Sequence, residues 1–176
     1  RDFDKRNSDG AAPIKADLSL LEGISNFSDY NLKAPDLAKN GFDLPFSFYV
    51  DADMKNTKVN VLQFGGPGTF LPDTTTYKTP AAKKLLDVLK KQSENLLKMA
   101  GVSEDQANKY VEDAIKFDAK IAKLVKSTEE WADYPATYNP MKIADFENKF
   151  DGFTISYFLK EAIGEEPERI IVTEHS

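Results

Sequence analysis

Two long apolar stripes with almost nothing between them constrain this chain more than any other feature. Thr79-Pro80 reads as a helix cap followed by proline at the first helical position, where its missing N–H costs no bond. From there Ala82, Leu85, Leu86, Leu89, Ser93, Leu96, Leu97 and Ala100 recur at helical spacing, and Gly101 stops the run. Ser103 and Gln106 have capping-box spacing, opening a second helix with Ala107, Tyr110, Val111, Ala114, Phe117, Ile121 and Val125 inward. Only Gly101-Val102 separates the two, so residues 80–100 and 104–126 must lie side by side and antiparallel. Their expected seam is Leu85, Leu89 and Leu96 against Val111, Ala114 and Ile121.

One region has a different period. Between Pro45 and Tyr77, Phe46, Phe48 and Val50 alternate with Ser47, Tyr49 and Asp51, and Val59, Val61 and Gln63 continue the rhythm. The polar stretch Asp53-Met54-Lys55-Asn56 suits a hairpin reversal, so Pro45 to Phe64 should be a two-stranded antiparallel unit. Lys55 and Asn56 serve turn geometry there. Gly65-Gly66-Pro67-Gly68 then ends the pairing, since glycine permits positive φ and proline removes a ladder donor.

The remaining segments are shorter. Arg1 to Asn7 reads as a helix end stopped by Ser8-Asp9-Gly10, and Ile14, Leu18, Leu21 and Ile24 place a short helix over Pro13 to Ser25. Phe27 to Leu44 mixes turn formers with Leu32, Leu37 and Phe42, which predicts a connecting segment with a helical turn or two around Pro35 to Lys39. Ser127 to Glu130 is a further capping box at the start of an acidic turn carrying Trp131. Tyr134-Pro135 and Asn139-Pro140 bound an extended connection. Ile143, Phe146 and Phe150, then Ile155, Phe158, Leu159 and Ile163, mark two short helices around Asp151-Gly152, and Ile170-Ile171-Val172 is a buried strand. The expected fold class is mainly α: a helical domain with an antiparallel helix hairpin and a small two- or three-stranded β element, residues 1–176 forming one domain.

Composition removes several functions. A net charge of −6 argues against a nucleic-acid backbone as partner. No stretch approaches the ~20 apolar residues of a membrane span. The chain has no cysteine, hence no disulfide and no thiolate metal site. Arg1-Asp2-Phe3 carries no initiator methionine and no signal peptide, and reads as the middle of a longer protein.

Candidate chemistry is sparse. The one histidine, His175, stands beside the last residue and is read as a solvated side chain. Gly65 to Gly68 lacks the Gly-Lys-Ser/Thr ending of a phosphate loop and is read as a structural turn. Asp51 and Asp53 resemble the start of a calcium loop, but Lys55, Asn56 and Leu62 stand where an acceptor, glycine and glutamate are needed. Glu129 and Glu130 suit the positive end of a helix dipole better than an acid–base pair. Asp118 falls on the apolar side of its helix and needs a partner, for which a structural hydrogen bond is expected. Trp131, Tyr134 and Tyr138 are read as packing around prolines rather than a ligand patch. Asn26-Phe27-Ser28 is a glycosylation sequon without a secretion signal.

Individual motifs go further. FYVDADMKNTKV (residues 48–59) resembles the V-x-x-D-x-K-N stretch of the neprilysin-like (M13) zinc metalloendopeptidases, and GTFLPDTTTY (68–77) resembles their G-x-x-L-P-x-x-x-Y segment with the tyrosine, Tyr77, one position later. LVKSTEEWADYPATYNPM looks like the family's acidic segment followed by Tyr-Asn-Pro-Met, and PERIIVTE is similar to the strand closing the same non-catalytic region. The match is nearest to the bacterial oligopeptidase O type and covers nearly the whole chain, although Thr173-Glu174-His175-Ser176 does not clearly follow the pattern.

The resemblance implies a partial domain, the helical half that encloses the family's central cavity, with the thermolysin-like catalytic half lying elsewhere in a longer enzyme. It implies Zn²⁺ in that parent but none in this chain, since the His-Glu-x-x-His motif is missing. Catalytic, cofactor-binding and metal-ligating residues within 1–176 are therefore expected to be none. Expected partners are the catalytic half, oligopeptide substrates reached through the parent, and a second copy across an uncovered apolar face. Animal relatives are disulfide-bonded ectodomains, so the absence of cysteine favours a bacterial cytoplasmic location, with a secreted or cell-surface one as the alternative. The rival readings are a stand-alone, non-enzymatic helical binding module and a proteolytic remnant.

Overall fold

A computed structural model describes residues 2–174. In chain order its elements are α1 (Phe3–Asp9), α2 (Lys15–Glu22), α3 (Phe27–Lys39), β1 (Ser47–Asp53), β2 (Asn56–Gly65), α4 (Pro80–Met99), α5 (Glu104–Ile121), α6 (Thr128–Trp131), β3 (Asn139–Lys142), α7 (Ile143–Glu147), α8 (Ile155–Ile163) and β4 (Arg169–Val172). Mainly helical with one small sheet, the fold class is as the sequence predicts, but the sheet has four strands where two or three were expected, because Asn139–Lys142 adds an edge.

The sheet has four strands in the order β1-β2-β4-β3. β1 and β2 form the expected antiparallel hairpin, with Asp53 opposite Asn56 across a Met54-Lys55 reversal. β4 lies parallel to β2 and antiparallel to β3, so the sheet closes only after the chain has travelled through both long helices. Asn139-Pro140 thus belongs to a strand rather than a loose connection. β3 is an edge, and proline's missing N–H costs no ladder bond on the side where no neighbour exists.

The expected alternation holds only near the core. Phe46 is buried and Phe48 packs beside it, whereas Val50 is 65 % exposed and Val59 also faces solvent, because the hairpin tip runs past the helical layer. From Val61 to Gly65 every residue is buried, as befits the part of β2 held between two neighbouring strands.

One side of the sheet packs on aromatic rings and α8. Phe46 stacks on Phe64 with centroids 4.9 Å apart and meets Phe158 edge-on at 5.1 Å, while Phe64 meets Phe146 edge-on at 4.8 Å. Ile155, Phe158 and Leu159 of α8 are fully buried. Against α8 lies α3, where the sequence reading expected a loop with a turn or two. Asn26 caps it by accepting from the Asp29 N–H, and Tyr30, Ala34 and Leu37 form its inner stripe, with exposed Phe27 stacked on Tyr30 at its start. Pro35 sits inside this helix. It forfeits one backbone bond, but its ring is buried, and that burial offsets the loss.

The α4–α5 hairpin forms, through only part of the seam expected: Leu89 and Val111 are in it, Leu85, Leu96 and Ala114 are not. Leu86, Leu89, Ser93 and Leu97, with Lys90 and Glu94 beside them, are the half-buried residues of α4, and buried Ala107, Val111 and Asp118 are their counterparts on α5. Leu85 and Leu96 are exposed, as are Tyr110, Ala114 and Phe117. The apolar stripe on each helix is wider than a single helix–helix contact can cover. Thr79 caps α4 by geometry alone, since its hydroxyl donates to the Thr76 carbonyl, and Ser127 with Glu130 completes a full capping box at α6. No described helix is long and apolar enough to cross a membrane.

Candidate functional site

Between the aromatic core and the helix hairpin runs a groove of about 1080 Å³. Phe46, Phe64, Phe146, Phe150 and Val172 line it from the core, and Leu86, Ala119, Ala122 and Val125 from the hairpin. Gly65-Gly66-Pro67 lies at its edge, and Tyr77, Lys78, Lys126, Glu130 and Glu174 add the polar groups. Apolar surfaces joined by a few convergent polar side chains are what an extended peptide or another protein segment could occupy.

The glycines at that edge serve close approach. Neither Gly65 nor Gly66 has positive φ, contrary to the sequence expectation. A Cβ on Gly65 would lie 2.6 Å from the Thr173 hydroxyl, and one on Gly66 would lie 1.7 Å from a Glu174 carboxylate oxygen. The strand-to-loop junction therefore runs tight against the end of β4.

The loop from Gly66 to Lys78 is fastened at two carboxylates. Asp118 is buried, with Oδ1 accepting the Phe70 N–H at 2.8 Å and Oδ2 accepting the Tyr77 hydroxyl at 2.5 Å. Tyr77 in turn accepts the Leu71 N–H at 3.1 Å. Burial, then the neighbouring Asp118, pushes the Tyr77 phenol above its ordinary value. Asp73 accepts from the N–H and hydroxyl of Thr75 and, through its other oxygen, from the Thr128 N–H at 2.7 Å. Bonds to Thr128 and Thr75 hold its carboxyl well below the usual carboxylate range. The partner that Asp118 required is thus a loop that lies far away in sequence, and it shapes one side of the groove.

A second buried carboxylate, Asp53, accepts from Arg169, from the Tyr138 hydroxyl at 2.9 Å and from the Lys55 N–H at 2.8 Å. The Arg169 bond dominates in holding it down at about 2. The Lys55 ammonium sits over the Tyr138 ring, 4.7 Å from its centroid. The cluster ties the hairpin tip to β3 and β4. Sequence reasoning missed it, and the only signal was a lone arginine beside the apolar run of β4.

The other candidate residues are dispersed. Trp131 lies under the Lys126 ammonium, Tyr134 is exposed and Tyr138 serves Asp53, so the three aromatics form no common patch. Glu130 is a cap, and Asn26 spends its side chain on the start of α3. His175 lies outside the described residues. Among the described residues no three His, Cys, Asp or Glu side chains converge as metal ligands, and Asp53, Asp73 and Asp118 spend their oxygens on the fold. The residues present do not fit a zinc ion.

A family model for the N-terminal region of proteins described as Peptidase family M13 matches residues 1–176. The neutral endopeptidase of Lactobacillus helveticus is 54 % identical over 174 residues, covering 99 % of this chain and 27 % of that protein. A neutral endopeptidase of Lactococcus lactis subsp. cremoris is 33 % identical over 176 residues, covering 98 % of this chain and 28 % of its own length. Among solved structures, PepO from Lactobacillus rhamnosis HN001 superposes with a TM-score of 0.80 at 26 % identity, over 98 % of this chain and 28 % of that one. The open state of the Mycobacterium tuberculosis zinc metalloprotease ZMP1 gives a TM-score of 0.86 at 18 % identity, over 98 % and 27 % of the two chains, a likeness of fold alone. The chain spans little more than a quarter of the length of these relatives.

Proposed function

The chain belongs to peptidase family M13, and from that premise we propose that it is the cavity-enclosing, non-catalytic part of a zinc-dependent endopeptidase acting on oligopeptides. The observation that carries the reading is a family match over the entire chain that accounts for only about 27 % of a neutral endopeptidase. Its contribution is steric and dielectric. Helices and sheet wall a chamber, limit entry to short unfolded peptides, and keep bulk water from the reacting bond. The fastened loop from Gly66 to Lys78 and the groove beside it are the parts suited to that wall, because two carboxylates, buried Asp118 and half-buried Asp73, hold the loop backbone in one arrangement. No step of hydrolysis is assigned to residues 1–176. The zinc ligands and the general base belong to the catalytic half, with which this chain makes its principal contact. A bacterial cytoplasmic location accords with the absence of cysteine and with the bacterial relatives.

The isolated chain should neither bind zinc tightly nor cut peptides. Calorimetric titration with zinc is expected to show no site tighter than about micromolar, since unaided carboxylates prefer harder ions. A fluorogenic oligopeptide should stay intact at high protein concentration. Chelator-sensitive turnover in a preparation free of longer enzyme would refute the assignment.

A further inference from the structure

One face of the α4–α5 hairpin is largely apolar and bare, interrupted on α4 by exposed Gln92 between Val88 and Leu96. Leu85, Val88, Leu96 and Met99 of α4 are between 48 and 79 % exposed. On α5 and the turn after it, Tyr110, Phe117 and Leu124 are between 46 and 83 % exposed, at spacings of seven residues. Each set follows the heptad-like rhythm of a second contact stripe, rotated about a quarter turn from the seam.

The two sets share one side of the hairpin. The cross-helix ion pairs Lys90–Glu112 and Lys98–Glu104 fix the register, placing Leu85 level with Phe117 and Val88 level with Ala114. Lys90 and Glu112 both lie on the other side of the seam, so the stripes rotated in the opposite sense from each helix meet on one face. Asp87, Glu94 and Glu112 sit with that charged side. The outer edges of the hairpin instead carry Lys84, Lys91, Lys109, Lys116 and Lys120 against two acids, Asp105 and Asp113; Lys109 and Lys116 already engage Asp113, and Lys116 also reaches Glu112.

We infer that this face is a docking surface for a helical segment of the same polypeptide from outside residues 1–176, apolar along one side and acidic at its flanks. The inference rests on the reading that the chain is part of a longer enzyme, nearly three quarters of whose relatives' length lies outside it. A helix laid along the groove between the two stripes covers apolar surface that a folded protein rarely leaves in water. Charge selects the occupant. A second copy would set lysine edge against lysine edge, whereas acidic flanks complement them. Self-pairing through this face is thus disfavoured within the same chain whose net charge is −6.

The test uses the full-length enzyme with a photo-crosslinking phenylalanine analogue at position 117, and separately the variants L96C and D87C, any native cysteines having been replaced. The analogue should join a peptide outside residues 1–176 of the same molecule, in a helical segment with flanking Asp or Glu. Alkylation of L96C should be at least about tenfold slower than that of D87C, at every protein concentration, because labelling requires the segment to open first. Equal rates would overturn the proposal. So would a crosslink into another copy, protection that disappears on dilution, or protection seen only with phosphatidylglycerol vesicles, the mark of a basic amphipathic surface lying on a membrane. Neither readout involves hydrolysis, so failure of the peptidase reading would show in turnover while failure of this inference would show in the crosslink and the label.

Discussion

Replacing Asp118 by alanine removes a carboxylate that holds a loop from within the protein. Two donors point at it, the Phe70 N–H and the Tyr77 hydroxyl, and the aspartate itself is 5 % exposed. Hydrogen bonds to a charged acceptor contribute about 1.5–3 kcal/mol each, and orphaned donors add a desolvation cost, so the Asp118→Ala loss should be about 3–5 kcal/mol. Asp118→Asn keeps an acceptor for Phe70 and lets the Tyr77 hydroxyl turn, so it should cost about 1–2 kcal/mol. Tyr77→Phe removes a donor to Asp118 and the acceptor of the Leu71 N–H, for about 2–3 kcal/mol. Because these groups form one network, the Asp118→Ala/Tyr77→Phe double variant should fall short of the summed losses by about 1–2 kcal/mol. Urea unfolding followed by circular dichroism measures all four proteins, and limited proteolysis reports whether residues 66–78 are the part set loose. Strict additivity, or a loss below about 0.5 kcal/mol for Asp118→Ala, would refute the clasp.

Further measurements bear on other elements. Asp53 is held at about 2, below the ordinary 3.8, so its contribution is complete above about pH 4 and is lost as pH falls through 2; acid unfolding of Arg169→Gln should show a shallower dependence in that window. Tyr77 has the opposite sign, its stabilisation being present at neutral pH and lost as alkali ionises the raised phenol, which the same titration carried upward would reveal. The Tyr30 hydroxyl is buried without a partner, and burial pushes it to about 12, so Tyr30→Phe should stabilise the fold by up to about 1 kcal/mol in thermal melts. Half-buried Leu89 should lose about 1–2 kcal/mol on change to alanine and exposed Leu96 under about 0.5 in the isolated chain; equal losses would mean the seam is misplaced.

Local chemistry was readable wherever the chain decides its own conformation. Thr79-Pro80, Gly101, Ser103 and the Ser127–Glu130 box marked helix ends because caps and breakers act within four residues. Asp53 to Asn56 marked the hairpin reversal, and Ile170-Ile171-Val172 marked a strand with both faces covered. The family resemblance lay in contiguous motifs and was equally open to reading. Asp118 announced by its position on an apolar face that it needed a partner.

What the sequence could not supply was the identity of neighbours. Phe27 to Leu44 read as a connection with only a turn or two around Pro35, because the burial that favours the full helix α3 comes from α8, more than a hundred positions away. Asn139-Pro140 became a strand only because β4 returns to offer an edge, and Gly65 and Gly66 lie close against the Thr173 and Glu174 side chains rather than in torsions that only glycine adopts. The same limit governs the hairpin. Periodicity showed that α4 and α5 each carry a broad apolar stripe, but a stripe wider than one contact has two possible inner faces. Only packing chose Leu86, Leu89, Ser93 and Leu97 for the seam and left Leu85, Leu96 and Phe117 in solvent, since burial is a property of what lies opposite.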